Sequence, residues 1–407
     1  MTRFNTTTPV VVVSCELAAL AIMRSLGSLG VPVYGVDGDP GSPGMRSRCC
    51  RDRFILRFDE EHPGPYLEGL LAVGRRLGRK SILIATSDET TQFVSDNAEA
   101  LSEYFIFQDN SPALVRRLAS KKEMFGLAMA HNVPTPKTVF PRCLDDVLEY
   151  AETGSLPVML KGIYGNRLQM RTRKKMLIVH SREELIQAYK EMEDPESPNL
   201  MLQEYIPGDD DQVYIFNGYF NRESDCLFGL TGHKIRQFPI HVGCASLGVC
   251  RWIEDVATTT TRFMKEVGYR GILDIGYRLD ARDGQYKVLD INPRVGQAFR
   301  LFASANGHDV ARALYLDFTG QPPVPVQNPE GRRWMIEDFD LISSLHYYQE
   351  GALGPVQWLN SFRGVEERAW FSWRDPAPFV VMLRRLSKRL VTWLSKPFTQ
   401  KRVAYER

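Results

Sequence analysis

One segment constrains the fold more than any other: residues 271–294, which read GILDIGYRLDARDGQYKVLDINPR. Two alternating runs flank Arg282-Asp283-Gly284, the pattern of an antiparallel hairpin. Side chains two apart on a strand share a face at roughly 6 to 7 Å spacing, so Asp290 and Asn292 point one way while Ile291 faces a core. A three-residue turn with Gly284 left-handed sets Asp274 opposite Asn292. Asp and Asn ordinarily mark turns rather than strand interiors. Three oxygen side chains gathered there suit a hard cation, above all Mg²⁺. Cys and His are absent from the cluster, which disfavours zinc. Arg294, two residues past the amide, adds a fixed cation suited to phosphate.

The remainder supplies an enzyme-sized scaffold. With 407 residues, 43% of them hydrophobic, the chain can build two or three packed domains. A net charge of +2 is too small for a dedicated nucleic-acid binder, so no nucleic-acid partner is expected. The seven cysteines form no C-x-x-C pair and predict a reducing, cytoplasmic setting. No run of about 20 uncharged apolar residues is present to span a bilayer.

Residues 10–13, 16–28 and 31–37 predict a βαβ unit, and residues 81–85 and 90–101 a further strand and helix. A dinucleotide fingerprint fails there, because the turn is Ser14-Cys15-Glu16, without glycines and with a carboxylate at the helix start. Ser120-Lys121-Lys122-Glu123 reads as a capping box opening a new unit near residue 115. Two lysines in a first turn oppose the helix dipole, a cost that an anionic ligand offsets. Residues 157–161 and 171–179 read as strands, 182–192 as a helix, and 200–205, 212–216 and 226–231 as further strands. Four prolines within residues 322–329 mark the start of a C-terminal extension.

In the acidic-x-Asn-Pro-Arg run with a carboxylate across the hairpin, the sequence resembles the ATP-grasp ligases. Lys161, at a strand end, looks like that family's nucleotide-binding lysine. Gln203-Glu204-Tyr205-Ile206-Pro-Gly208 looks like its adenine hinge, and Lys121 or Lys122 matches the lysine opening the grasp region. The resemblance covers roughly residues 8 to 320 and is closest to the carboxylate–amine ligase branch that includes D-aspartate ligases. It implies an open parallel α/β domain at residues 1–115 and a two-lobed α+β grasp fold with lobes at 116–199 and 200–325, and residues 326–407 read beyond it as a helical C-terminal extension. It further implies Mg²⁺, with Mn²⁺ as a substitute, on Asp274, Asp290 and Asn292. ATP would lie on Lys121 or Lys122, Lys161, Gln203, Glu204, Tyr205, Ile206 and Asp211. Arg294, Lys234 and Arg236 would face the reacting phosphoryl group, and the chain would form a homo-oligomer. Two departures stand out. The phosphate-covering loop carries Arg167, Arg171, Arg173, Lys174 and Lys175 where the family favours glycine, so charge would replace backbone amides. The upstream metal carboxylate is Asp274, where Glu is more usual.

The implied activity joins a carboxylate, activated as an acyl phosphate, to an amine. Such chemistry needs positioning and charge neutralisation rather than a protein nucleophile, and no Ser/His/Asp or Cys/His arrangement is visible. Two alternatives are a carboxylase or carbamoyl-transfer enzyme working through carboxyphosphate, and a non-catalytic nucleotide-binding, membrane-peripheral protein. The second draws on residues 379–396, where Phe379, Met382, Leu383, Leu386, Leu390, Trp393 and Leu394 share one helical face. From Phe379 onward there are eight basic residues and one acidic residue. Such a helix either lies on an anionic membrane or docks on the protein.

Overall fold

The structure, a computed structural model, describes residues 4–174 and 176–394, without the side chains of residue 166 and residues 389–394. Strands β1 (Val10–Val13), β2 (Val33–Asp37), β3 (Cys50–Ile55), β4 (Ser81–Ala85) and β5 (Phe105–Ile106) form a parallel sheet ordered β3-β2-β1-β4-β5. The central β1 is four valines, all buried, because both faces of the sheet are covered. Chain order reverses between β1 and β4, which places Ser14 and the Asp88–Asp96 helix at the crevice where open α/β sheets bind ligands.

Strands β6 (Thr138–Val139), β7 (Val158–Gly162), β8 (Met176–Val179) and β9 (Leu200–Glu204) make a small antiparallel sheet ordered β6-β9-β7-β8. The hinge strand β9 thus pairs with the strands of residues 116–199. The third sheet comprises β10 (Val213–Phe220), β11 (Cys226–Phe238), β12 (Cys244–Cys250), β13 (Gly271–Asp280), β14 (Gln285–Asn292), β15 (Arg333–Met335) and β16 (Val365–Arg368). Its order is β14-β13-β10-β11-β12-β15-β16.

Alternation places the site between the small sheet and the large one. On β7, Val158 and Leu160 enter the small lobe's core, while Met159 and Lys161 face a cavity. On β13, Leu273, Ile275 and Tyr277 pack beneath the helices Lys121–Ala130 and Glu254–Glu266, while Asp274, Gly276 and Arg278 face the same cavity.

Two expectations need correction. The strand expected over residues 171–179 is confined to β8, and the preceding Gly165–Thr172 is helical. The C-terminal extension is more than helical: β15 and β16 lengthen the large sheet, and Trp334, Trp370 and Met382 share a core with Leu20 and Met23 of the first helix. The Ala377–Leu394 helix turns the start of its apolar face inward. Met382 is 4% exposed, Phe379 packs edge-on against Phe371 with ring centres 5.2 Å apart, and Arg385 donates to both oxygens of Glu16, at 2.8 and 3.0 Å. Docking on the N-terminal domain therefore uses part of the face that a membrane would need. Leu390, Trp393, Leu394 and Lys396 lie outside the described side chains. Among the described residues no helix is long and apolar enough to cross a membrane.

Candidate active site

The β13–β14 hairpin sets Asp274 opposite Asn292 and Gly276 opposite Asp290. The route to that register differs from the expected one. Asp280 pairs with Gln285, so the turn has four residues, 281–284, and Leu289 is the extra residue of a bulge between the pairs Gly276–Asp290 and Tyr277–Val288. The longer turn shifts the ladder by one and the bulge shifts it back, which leaves both acids on the cavity side. Gly284 does take the left-handed conformation, with φ +71°.

Two glycines make room for these carboxylates. A Cβ on Gly276 would lie 2.6 Å from Oδ1 of Asp290, and one on Gly296 would overlap Oδ2 of Asp274. Asn292 Nδ2 donates to Asp290 at 3.3 Å, and Arg294 Nη2 donates to Asn292 Oδ1 at 3.4 Å. Burial, and then the charge of Asp290, push the Asp274 carboxyl up to about 6. Asn217, wholly buried on β10 opposite Asp274, has an Oδ1 with no partner among the described residues. A raised carboxyl, a second acid and an orphaned amide oxygen fit a hard divalent cation. Among the described residues no three His, Cys, Asp or Glu side chains converge as a metal set, so the donors are two carboxylates and amides. Sequence reasoning missed Gly276, Gly296 and Asn217, because only the ladder shows what they approach.

Lys161 is 8% exposed and donates to Gln203 Oε1 at 2.7 Å. Burial, and then the neighbouring charge of Lys121, press its ammonium down to about 7. Lys121 lines the cavity, whereas Lys122 is exposed and sits 5.7 Å from the centre of the Phe140 ring, so the first lysine of the pair is the one at the site. Tyr205, Ile206 and Asp211 also line the cavity. Glu204 is tied to neighbours. It accepts from Lys137 N at 3.1 Å, Lys287 Nζ at 3.4 Å and Arg282 Nη2 at 3.4 Å, which locks the hinge to the hairpin tip.

Burial depresses the Lys234 ammonium, which donates to Gly243 O at 2.8 Å and Gln237 Oε1 at 3.2 Å. Arg236 departs from the expectation. It is 4% exposed and clasps Asp340 through two 2.8 Å bonds, as a buried bidentate pair anchoring the Glu337–Gln349 helix. A bulge after Lys234 takes the two residues out of step. Arg294 binds Asp88 of the N-terminal domain, at 2.5 Å from Nε and 3.2 Å from Nη2. The basic loop is likewise redirected: Arg167 and Arg171 bind Asp194 at 2.6 and 3.4 Å, and Gly165, which opens the helix, lines the cavity instead. Lys175 lies outside the described residues.

No family model matches the chain. It is 27% identical over 316 residues to the D-aspartate ligase of Enterococcus faecium (strain Aus0004), covering 73% of this chain and 74% of that protein. The fold matches N5-carboxyaminoimidazole synthetase from Staphylococcus aureus in complex with ADP, with TM-score 0.62, 12% identity and 82% of each chain covered. It also matches the biotin carboxylase domain of Hydrogenobacter thermophilus 2-oxoglutarate carboxylase, in complex with MgADP, ADP and bicarbonate. There the TM-score is 0.61, with 13% identity over 81% of this chain and 73% of that one. The chain has the two-lobed ATP-grasp fold of these neighbours. Its grasp is the cavity between the small antiparallel sheet and the large mixed one.

Proposed function

We propose that this chain is an ATP-grasp ligase that activates a short-chain carboxylate, of the aspartate class named for its Enterococcus relative, and couples it to an amine. A carboxylate oxygen attacks the γ-phosphorus of ATP and the bond to the β,γ-bridging oxygen breaks, which gives an acyl phosphate and ADP. The amine nitrogen then attacks the acyl carbon, phosphate leaves, and the nitrogen gives up a proton as the amide forms. One observation carries this reading: two half-buried acids and the cations Lys161, Lys234 and Arg294 line one cavity, with no protein nucleophile required.

Asp274, Asp290 and Asn292 would hold Mg²⁺, with Asn217 beside them and Mn²⁺ able to substitute. The bound ion supplies charge neutralisation for the phosphates. Lys121 and Lys161 hold the phosphate chain from the small lobe, and the first turn of the Gly165–Thr172 helix offers it backbone N–H groups. Residues 203–206 border the adenine, with Asp211 towards the ribose. Lys234 and Arg294 face the phosphoryl group in transit.

An ADP-release screen over amino acids and small acids with Mg²⁺ tests the reading. ADP release that needs both an acid and an amine supports it; release that needs bicarbonate moves the enzyme to carboxyphosphate chemistry. Asp290→Asn and Lys161→Met are each expected to lower turnover by more than about a hundredfold with the fold intact by circular dichroism. Wild-type rates in either variant refute the assignment.

A further inference from the structure

The cavity holds more than a nucleotide needs. At about 1270 Å³ it exceeds the roughly 300 to 1000 Å³ of an ordinary single-ligand pocket. Part of its lining, the arm, comes from Lys234 and Gln237, from Val242 and Gly243 of the β11–β12 loop, and from Tyr347, Leu353 and Gln357 of the C-terminal part of the chain.

Gln237 lines this arm and is 1% exposed. The Lys234 ammonium fixes its amide with Oε1 inward, at 3.2 Å, and Nε2 has no hydrogen-bond partner among the described residues. Lys234 uses one proton on Gln237 and one on Gly243 O, which leaves a third N–H. Two spare donors side by side in a buried wall call for an acceptor. The nearby acids are engaged elsewhere: Asp340 by Arg236, Asp210 by His241 and Tyr347, and Glu350 by His241. Lys234 also feels the charges of Asp290 and Asp274, so it stands where the arm meets the metal end of the cavity. Val242 and Ala245 leave the wall small and apolar.

We propose that this arm seats the carboxylate to be activated, its oxygens accepting from Nε2 of Gln237 and from the third N–H of Lys234. Gln237 is then a specificity-determining residue, and the C-terminal extension sets the length of acid admitted. The assignment rests on the ligase reading above and names the place and donors of its first substrate.

Calorimetry on the full chain loaded with Mg²⁺ and AMP-PNP, titrated with D-aspartate, L-aspartate and succinate, tests it. Gln237→Leu removes the Nε2 donor in similar volume, and Gln237→Glu keeps the shape but opposes an incoming carboxylate. Both are expected to weaken the acid at least tenfold, with AMP-PNP affinity within twofold of wild type and the melting temperature unchanged. In turnover the loss falls on the KM for the acid and leaves the KM for ATP. Unchanged acid affinity in either variant overturns the proposal, and so does loss of AMP-PNP binding, which would put Gln237 in the nucleotide site. If the wild-type chain binds AMP-PNP but none of the three acids, the proposal also fails. The ligase reading is then judged separately, by ADP release with a wider acid set.

Discussion

Lys161 is held where the loss of water and a neighbouring charge both work against its proton: burial, and then Lys121, bring its ammonium down to about 7. A triphosphate beside it reverses that balance, so above pH 7 nucleotide binding must draw a proton from solution. Calorimetry in buffers of different ionisation enthalpy is expected to show uptake of close to one proton on AMP-PNP binding at pH 8 and little at pH 6. Lys161→Met should remove the difference, and a proton count that does not vary with pH rules the mechanism out. The same shift has a sign for stability. The folded value lies below the unfolded 10.5, so this group's contribution makes the free protein gain stability as pH rises from 7 towards 10.5. At this scale the sequence was legible where a residue type is chemically rare in its setting, as with Asp290 and Asn292 inside a strand. It was illegible where meaning lies in what a residue approaches. Gly276 and Gly296 matter for an absent Cβ, Gln237 for an unpaired N–H, and Arg236 for a partner 104 residues away.

The β13–β14 hairpin shows how an element can be legible for partly mistaken reasons. Alternation fixed which residues face the cavity, since a one-residue slip would turn Asp274 and Asp290 into the core. The turn length was misjudged because Asp280 reads as a turn residue, whereas it is a buried strand end holding Arg282 at 2.7 Å and Lys287 at 2.6 Å. These bonds, the one to Arg282 first, hold the Asp280 carboxyl well below the usual range against the opposing pull of burial. Its contribution is therefore present above pH 4 and lost as pH falls below it. Asp280→Ala would leave Lys287 buried without its 2.6 Å partner, and breaking a buried pair from one side typically costs about 3 to 5 kcal/mol. Urea unfolding at pH 7 should show a loss of that order, shrinking towards pH 3, and a loss under about 1 kcal/mol would mean Glu204 and Asp283 compensate. Strands β15 and β16 escaped sequence reading because strands of only three and four residues owe their identity to the ladder that receives them.

Across the whole molecule, the N-terminal sheet and the grasp meet through two different kinds of contact. One is a continuous core in which Leu20 and Met23 join Val295, Phe299 and Trp334, which fixes the two parts against each other. The other is the Arg294–Asp88 pair, which ties a cation of the site to the first turn after β4. The Asp88 side chain is 43% exposed, so solvent screens the pair and its share of stability is small. Its value lies in aim: Arg294 leans towards the N-terminal crevice instead of collapsing onto Asp274 and Asp290, whose charges also attract it. Asp88→Asn keeps the shape and removes the charge that holds the guanidinium. Turnover should fall at least tenfold while the KM for ATP stays within twofold and the melting temperature moves by less than about 2 °C, as expected for a loss of a few tenths of a kcal/mol. The split is diagnostic, because a nucleotide contact would raise the KM for ATP and a purely structural pair would lower the melting temperature. Full turnover in Asp88→Asn would show that Arg294 finds its place without the N-terminal domain.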